Sequence, residues 1–243
     1  FWPIMSSIPH KLLYEGYGIR RGMWTVSWLR ELLGESPIQK AGALGISTED
    51  YLNREAEKAP PGSDGLMTVL DWLANPWEPF KRGIMIGFGA HMDFAYMYRS
   101  ILEGIAYTLK NNFDAMCQEL GQQVEGIIIT GGGSNSDLFM QIFADVFNLP
   151  AKRNETNGSA SLGAAINAAV ATGAYGGYEE AVRRMVRVRD VFYPKPRNVE
   201  IYERLNQQVY KSIPAYTDGI LKKSHEIFNA HNHSAVITGW SQT

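Results

Sequence analysis

The residues best suited to binding chemistry lie in one stretch. After the apolar run Gly126-Ile127-Ile128-Ile129 the chain continues Thr130-Gly131-Gly132-Gly133-Ser134-Asn135-Ser136-Asp137. Consecutive glycines expose main chain without Cβ atoms, so a ligand can lie directly on the peptide groups. Ser134, Asn135, Ser136 and Asp137 then offer caps for a following helix and polar groups for that ligand. A nucleotide is the preferred occupant. The bland alternative is a tight connection with no ligand, and the turn alone does not choose between the two. Two phosphate-binding templates are excluded by spacing. No Lys-Ser/Thr pair follows the glycines, so this is not a P-loop. Asn135 and Ser136 fill the later places of Gly-x-Gly-x-x-Gly, so the dinucleotide fingerprint is not met.

Other residues with chemical potential have simpler explanations. Glu103 falls inside a long helical pattern with no visible partner and reads as structural. His91 precedes that helix without a second metal ligand at suitable spacing. Cys117 sits on a helical pattern near Phe113 and Met116 and reads as a packed small residue rather than a nucleophile. Glu78, Lys81 and Arg82, and later Arg183, Arg184 and Arg187, read as solvated faces. His231 and His233 near the end are too few to define a metal site. No residue is assigned a catalytic or metal-binding role.

Positioning the glycine turn falls to the elements on either side. The β-branched run before it predicts a buried strand. Leu138, Phe139, Ile142, Phe143 and Val146 after it recur at helical spacing. Upstream, Trp24 to Leu33 predicts a helix stopped by Gly34, with Val26, Leu29 and Leu33 on one face and Trp24 and Trp28 one turn apart. Residues 48–58 predict a second helix capped by Thr48, 59–65 a breaker-rich loop, and 66–70 and 83–88 two apolar strands. A long helix spans about Met92 to Leu120, and Gly104 within it leaves room for a close neighbour. After the turn unit come a short strand at Ala151-Lys152-Arg153, a small-residue helix from Ser159 to Val170 suited to close helix packing, and a helix from Tyr178 to Val188. A long amphipathic helix from Asn198 to Phe228 follows, buried through Tyr202, Leu205, Val209 and Ile213 and kinked at Pro214. Strands alternate with helices, so the fold class is α/β.

Composition narrows the function. The 243 residues suffice for one large domain or two small ones. A formal net charge of −2 argues against a general nucleic-acid binder. The single cysteine excludes an internal disulfide framework and suits a reducing, cytoplasmic compartment. No uninterrupted apolar run reaches membrane-spanning length, and no membrane partner is expected. The opening Phe1-Trp2-Pro3-Ile4-Met5 lacks the pattern of a signal peptide and reads as a chain cut mid-protein.

Four pieces, in this order, resemble the C-terminal domain of the FGGY family of carbohydrate kinases, which includes xylulose, gluconate, glycerol and ribulose kinases. The first is Gly83-Ile84-Met85-Ile86-Gly87-Phe88 followed by residues 97–107, which carry an R-x-x-L-E-G-I-A core. The second is Thr130 to Ser136 followed by residues 141–146. The third is Ser159-Ala160-Ser161-Leu162-Gly163-Ala164-Ala165, and the fourth is Tyr193-Pro194-Lys195-Pro196 leading to Tyr202. The likeness runs from about Gly16 to Tyr216.

The resemblance implies half of a ribonuclease-H-like fold of the actin and hexokinase type, a mixed sheet flanked by helices. Residues 1–230 would form the nucleotide-side domain and 231–243 a flexible tail. Carried over by position, Gly132 and Gly133 support adenine and ribose, with Gly131 and Ser134 in the same turn and Asn135 and Ser136 lining the base. Gly22, Met23 and Ser27 of the first helix border the nucleotide. Met23 and Trp24 replace smaller residues common in relatives, and Ser27 stands where a longer polar side chain is often found. ATP with Mg²⁺ would serve the full-length enzyme. The family's Asp-x-Gly-Thr phosphate loop, Gly-Thr-Ser turn, catalytic aspartate and most sugar contacts are not found in this sequence. They are expected in a separate N-terminal domain, without which this chain should be inactive. A homodimer stays open. The alternatives are a non-catalytic nucleotide-binding module of the same fold and a dinucleotide-binding domain.

Overall fold

The structure, a computed structural model, describes residues 1–232, with side chains described as far as 229. Strands β1 (Trp2–Met5) and β2 (Leu12–Glu15) pair antiparallel in a hairpin exposed along its whole length. Three helices follow: α1 (Gly22–Leu32), α2 (Ser36–Leu44) and α3 (Thr48–Ala56). The first and third match expectation, although Ser47 rather than Thr48 caps α3, accepting from the Asp50 amide at 3.0 Å. Helix α2 was not anticipated. Its Pro37 lies in the first turn, where a missing N–H costs nothing.

Strands β3 (Met67–Val69) and β4 (Ile84–Ile86) form an antiparallel pair. The long helix α4 (Phe94–Leu120) begins at an Asp93 cap and runs through the middle of the core. Its Ile101, Leu102, Ile105 and Ala106 pack with Leu29 of α1, Leu52 of α3 and Tyr202. A Cβ at Gly104 would stand 2.3 Å from the Thr68 carbonyl oxygen, so β3 crosses α4 where a side chain is missing.

The second layer holds β5 (Ile127–Ile129), α5 (Asp137–Phe147), β6 (Ala151–Asn154), α6 (Ser159–Ala171), α7 (Tyr178–Met185) and β7 (Val188–Phe192). Strand β6 is parallel to β5 and antiparallel to β7, giving a mixed three-stranded sheet. Strand β7 lies partly in the segment read as helix. Val186 leaves helical geometry at ψ 123°, and Val188 to Phe192 then pair with β6. Two further expectations need correction. Strand β5 is covered on one face only, since Ile127 and Ile129 pack inward while Ile128 is exposed. The small residues of α6 are mostly open, and only Ile166 is buried.

The chain ends in α8 (Pro196–Gln208) and α9 (Ile213–Asn232), separated by a short 3-10 turn. The single helix expected there breaks at Val209 (φ −125°, ψ −62°), not at Pro214. Pro214 is the second residue of α9, where proline is tolerated, and Val209 is exposed rather than buried. The tail expected from His231 onward, with His233, lies outside the described residues apart from the last helical backbone of α9.

Candidate functional site

The glycine turn is held by polar contacts on its buried side. Gly131 turns the chain at φ 85° and ψ −177°, a region essentially closed to residues bearing a Cβ. Ser134 is fully buried and donates its hydroxyl back to the Gly131 carbonyl at 2.7 Å. Ser136, not Ser134, caps α5 by accepting from the Phe139 amide at 3.1 Å. Arg153 of β6, 3% exposed, donates to the Ser134 carbonyl at 2.9 Å and pairs with Asp137 at 2.9 Å. Its other two nitrogens hold both oxygens of Asp190, at 2.9 and 2.5 Å. The hydrogen bond from Arg153 keeps the Asp190 carboxyl below the usual carboxylate range. A charged side chain inside a four-residue strand is the sequence signal for this clamp, and it was missed.

On its other side the turn opens into a cavity of about 570 Å³, within the size range of small-molecule sites. Met23 and Ser27 of α1, Asn53 of α3, Leu102 of α4, and Gly132, Gly133, Asn135 and Ser136 of the turn line it, with Phe139 behind them. Two stretches more than a hundred residues apart in the sequence therefore meet at one cavity. Gly22, Gly131 and Ser134 do not line the cavity. The open side of Gly22 faces Ile19, 3.5 Å from where its Cβ would lie.

The glycines differ in role. A Cβ at Gly132 would meet nothing within 4 Å, whereas one at Gly133 would lie 2.8 Å from a Phe139 ring carbon and 3.4 Å from the Met23 sulfur. Gly132 keeps the cavity open; Gly133 permits packing of its wall. Asn53 went unnoticed in the sequence, where its signal is a polar residue next to Leu52 in a helix with a buried face. Its carboxamide oxygen accepts from Ser136 Oγ at 2.9 Å and from the Tyr98 hydroxyl at 3.2 Å. Burial, followed by the nearby carboxylates of Glu49 and Asp50, pushes the Tyr98 phenol far up, so it stays a neutral donor.

Glu103 and Arg99 form a separate buried network. Arg99 Nε donates to Glu103 at 2.8 Å, and Tyr202 and the Gly62 amide donate to the same oxygen at 2.7 and 2.9 Å. The Ser63 hydroxyl donates to the other oxygen at 2.7 Å. This agrees with a structural role for Glu103. His91 pairs with Asp64 at 3.0 Å on the exposed surface. Burial raises the Cys117 thiol, which disfavours the thiolate. Among the described residues, no group of three or more His, Cys, Asp or Glu side chains could hold a metal ion. No helix among them is long and apolar enough to cross a membrane. A second cavity of about 540 Å³, bordered by Asp71, Trp77 and Tyr210, contains none of the residues expected to bind.

Comparison with known proteins gives this site its context. Residues 16–172 match the profile of the FGGY family of carbohydrate kinases, C-terminal domain. The chain belongs to that family. It is 62% identical over 242 residues to YgcE of Escherichia coli (strain K12), described as an uncharacterized sugar kinase, covering 99% of this chain and 49% of that protein. It is 30% identical over 195 residues to the xylulose kinase of Lactococcus lactis, covering 77% of this chain and 37% of that enzyme. The crystal structure of xylulose kinase from Rhodospirillum rubrum superposes with a TM-score of 0.68 at 25% identity, over 82% of this chain and 38% of that one. The chain therefore spans about half the length, or less, of the relatives it matches. The architecture is the α/β, ribonuclease-H-like one of this family, with its mixed sheet flanked by helices.

Proposed function

We propose that this chain is the adenine-nucleotide-binding half of an ATP-dependent carbohydrate kinase, which moves the γ-phosphoryl group to a sugar or polyol hydroxyl. The observation that carries the reading is the bare face of Gly132. It opens directly into a cavity walled by Met23, Ser27, Asn135 and Ser136, residues from two distant stretches. A purine would lie against the main chain of the turn, with the apolar Met23, Leu102 and Phe139 for its faces and the amide and hydroxyl groups for its edges.

Phosphoryl transfer is achieved by positioning both reactants and by stabilising charge on the transferred group. This chain supplies positioning at the base end. Mg²⁺ is assigned no ligand here, and the phosphate loop, the catalytic base and the sugar contacts are assigned to a partnering N-terminal domain. Residues 1–230 form the nucleotide-side domain in this reading, and the single Cys117 fits a cytoplasmic setting. A non-catalytic nucleotide-binding module would share the cavity but consume no ATP when completed.

Titration with ADP and with NAD tests the reading. ADP binding in preference to NAD is expected. The chain joined to its catalytic half should consume ATP with at least one member of a panel of pentoses, hexonates and polyols. Preference for NAD, or no ATP consumption with any acceptor, would overturn the kinase assignment.

A further inference from the structure

Asn53 is the carboxamide that α3 brings to the cavity, on a wall it shares with Ser47, Glu49, Asp50 and Tyr98. Its oxygen is fixed by two hydroxyls, Ser136 Oγ at 2.9 Å and Tyr98 at 3.2 Å. Ser136 Oγ accepts from the Phe139 amide at 3.1 Å and donates its own O–H to Asn53. The neutral Tyr98 phenol is likewise a donor. With both hydroxyls donating, the carboxamide oxygen faces them and the amide nitrogen is turned away. The amide nitrogen then has two N–H bonds with no hydrogen-bond partner among the described residues.

We propose that Asn53 determines base specificity, donating its amide N–H to a ring nitrogen of a purine seated on Gly132. Purines carry unprotonated ring nitrogens along their edges, which accept but cannot donate. An amide presented with its oxygen already engaged offers only donors, and so selects for such an edge. Ser136 plays two parts, because its single hydroxyl both caps α5 and orients Asn53. The turn and α3 are thereby joined into one recognition surface. This inference rests on the nucleotide reading above.

The test is a cycle of one protein substitution against single-atom changes in the ligand. Asn53→Asp keeps an oxygen for Ser136 and Tyr98 but removes the donors. It should therefore leave the unfolding midpoint close to that of the unsubstituted chain. Its affinity for ADP should fall about ten- to a hundredfold, the range expected when a buried ring nitrogen loses its donor and faces an acceptor. Adenosine, which lacks the phosphates, should lose affinity by a similar factor, separating the effect from repulsion of the diphosphate. Among the 1-deaza, 3-deaza and 7-deaza analogues of ADP, one should bind the unsubstituted chain as weakly as ADP binds Asn53→Asp. That analogue should be insensitive to the substitution. Equal losses for ADP and for every deaza analogue would overturn the role of Asn53 while leaving nucleotide binding intact. Failure of the unsubstituted chain to bind ADP or adenosine at all would overturn the nucleotide reading and this inference with it.

Discussion

Replacing the three glycines of the turn one at a time separates backbone strain, steric clash and ligand exclusion. Gly131 has φ 85° and ψ −177°, yet a Cβ there would meet nothing within 4 Å. Gly131→Ala therefore costs conformational strain alone, about 1–3 kcal/mol. Gly133 has no such torsion, but its Cβ would lie 2.8 and 3.2 Å from two Phe139 ring carbons and 3.4 Å from the Met23 sulfur. Phe139 is 5% exposed and packed against Phe143, with ring centroids 4.6 Å apart, so the ring cannot simply swing away. Gly133→Ala should cost about 1–3 kcal/mol through overpacking. Gly132 has neither problem. Gly132→Ala should change stability by no more than about 0.5 kcal/mol, or raise it slightly by restricting the unfolded chain. A bulkier side chain at that position projects into the cavity. A ring lying on the peptide at a contact distance of about 3.5–4.0 Å leaves no space for one. Gly132→Val should weaken ADP binding by at least about tenfold, or 1.4 kcal/mol. Urea unfolding followed by tryptophan fluorescence measures the first quantity, and calorimetric titration with ADP the second. Wild-type ADP affinity in Gly132→Val would refute the placement of the base. A Gly132→Ala variant as unstable as Gly131→Ala would refute the division of roles.

Two further outcomes follow from the buried polar groups. Glu103→Leu leaves the Arg99 guanidinium, 6% exposed, without its carboxylate and strips a partner from Tyr202, Ser63 and the Gly62 amide. The loss should be about 3–5 kcal/mol, read as a urea midpoint shift. Adding Arg99→Met should recover part of it, and a shift no larger than that of a surface substitution would contradict the network. Asp190 titrates below its ordinary value of 3.8 because Arg153 hydrogen-bonds its charged form. A depressed carboxylate stabilises the fold above its unfolded pKa, and that contribution fades as pH falls through the folded value. Asp190→Asn should therefore be less stable than the unsubstituted chain at pH 6. The gap should close as pH drops below about 3.8 toward 2, in thermal unfolding across that range. A gap independent of pH would contradict the ion pair.

Much of this arrangement was legible in the sequence because it depends on local pattern. The apolar spacing of α4 and α5 shows in residues 92–120 and 138–146. The missing side chain at Gly104 was readable as room for a neighbour, and β3 occupies that room. Glu103, with no partner visible in the sequence, meets four donors in the fold: Arg99, Tyr202, Ser63 and the Gly62 amide. What escaped depends on partners distant in sequence. Strand β7 pairs with β6, and only its first residue, Val188, falls in the helix expected over 178–188. Ile128 follows the pattern of a buried strand, but only the layers around it decide whether its outer face is covered. Arg153 and Asn53 acquire meaning only when β6 and α3 are brought against the glycine turn. The cavity residues contributed by α1 were found through family likeness, not through any property of Met23 or Ser27 themselves.

Every residue of α4 from Tyr98 to Tyr107 is buried, so this part of the helix has no solvent face. Each position answers to a different neighbour: Tyr98 to Asn53, Arg99 and Glu103 to the 59–63 segment and Tyr202, Gly104 to β3. The R-x-x-L-E-G-I-A block is thus enclosed on every side by the core. The signature marks how the core closes around this helix.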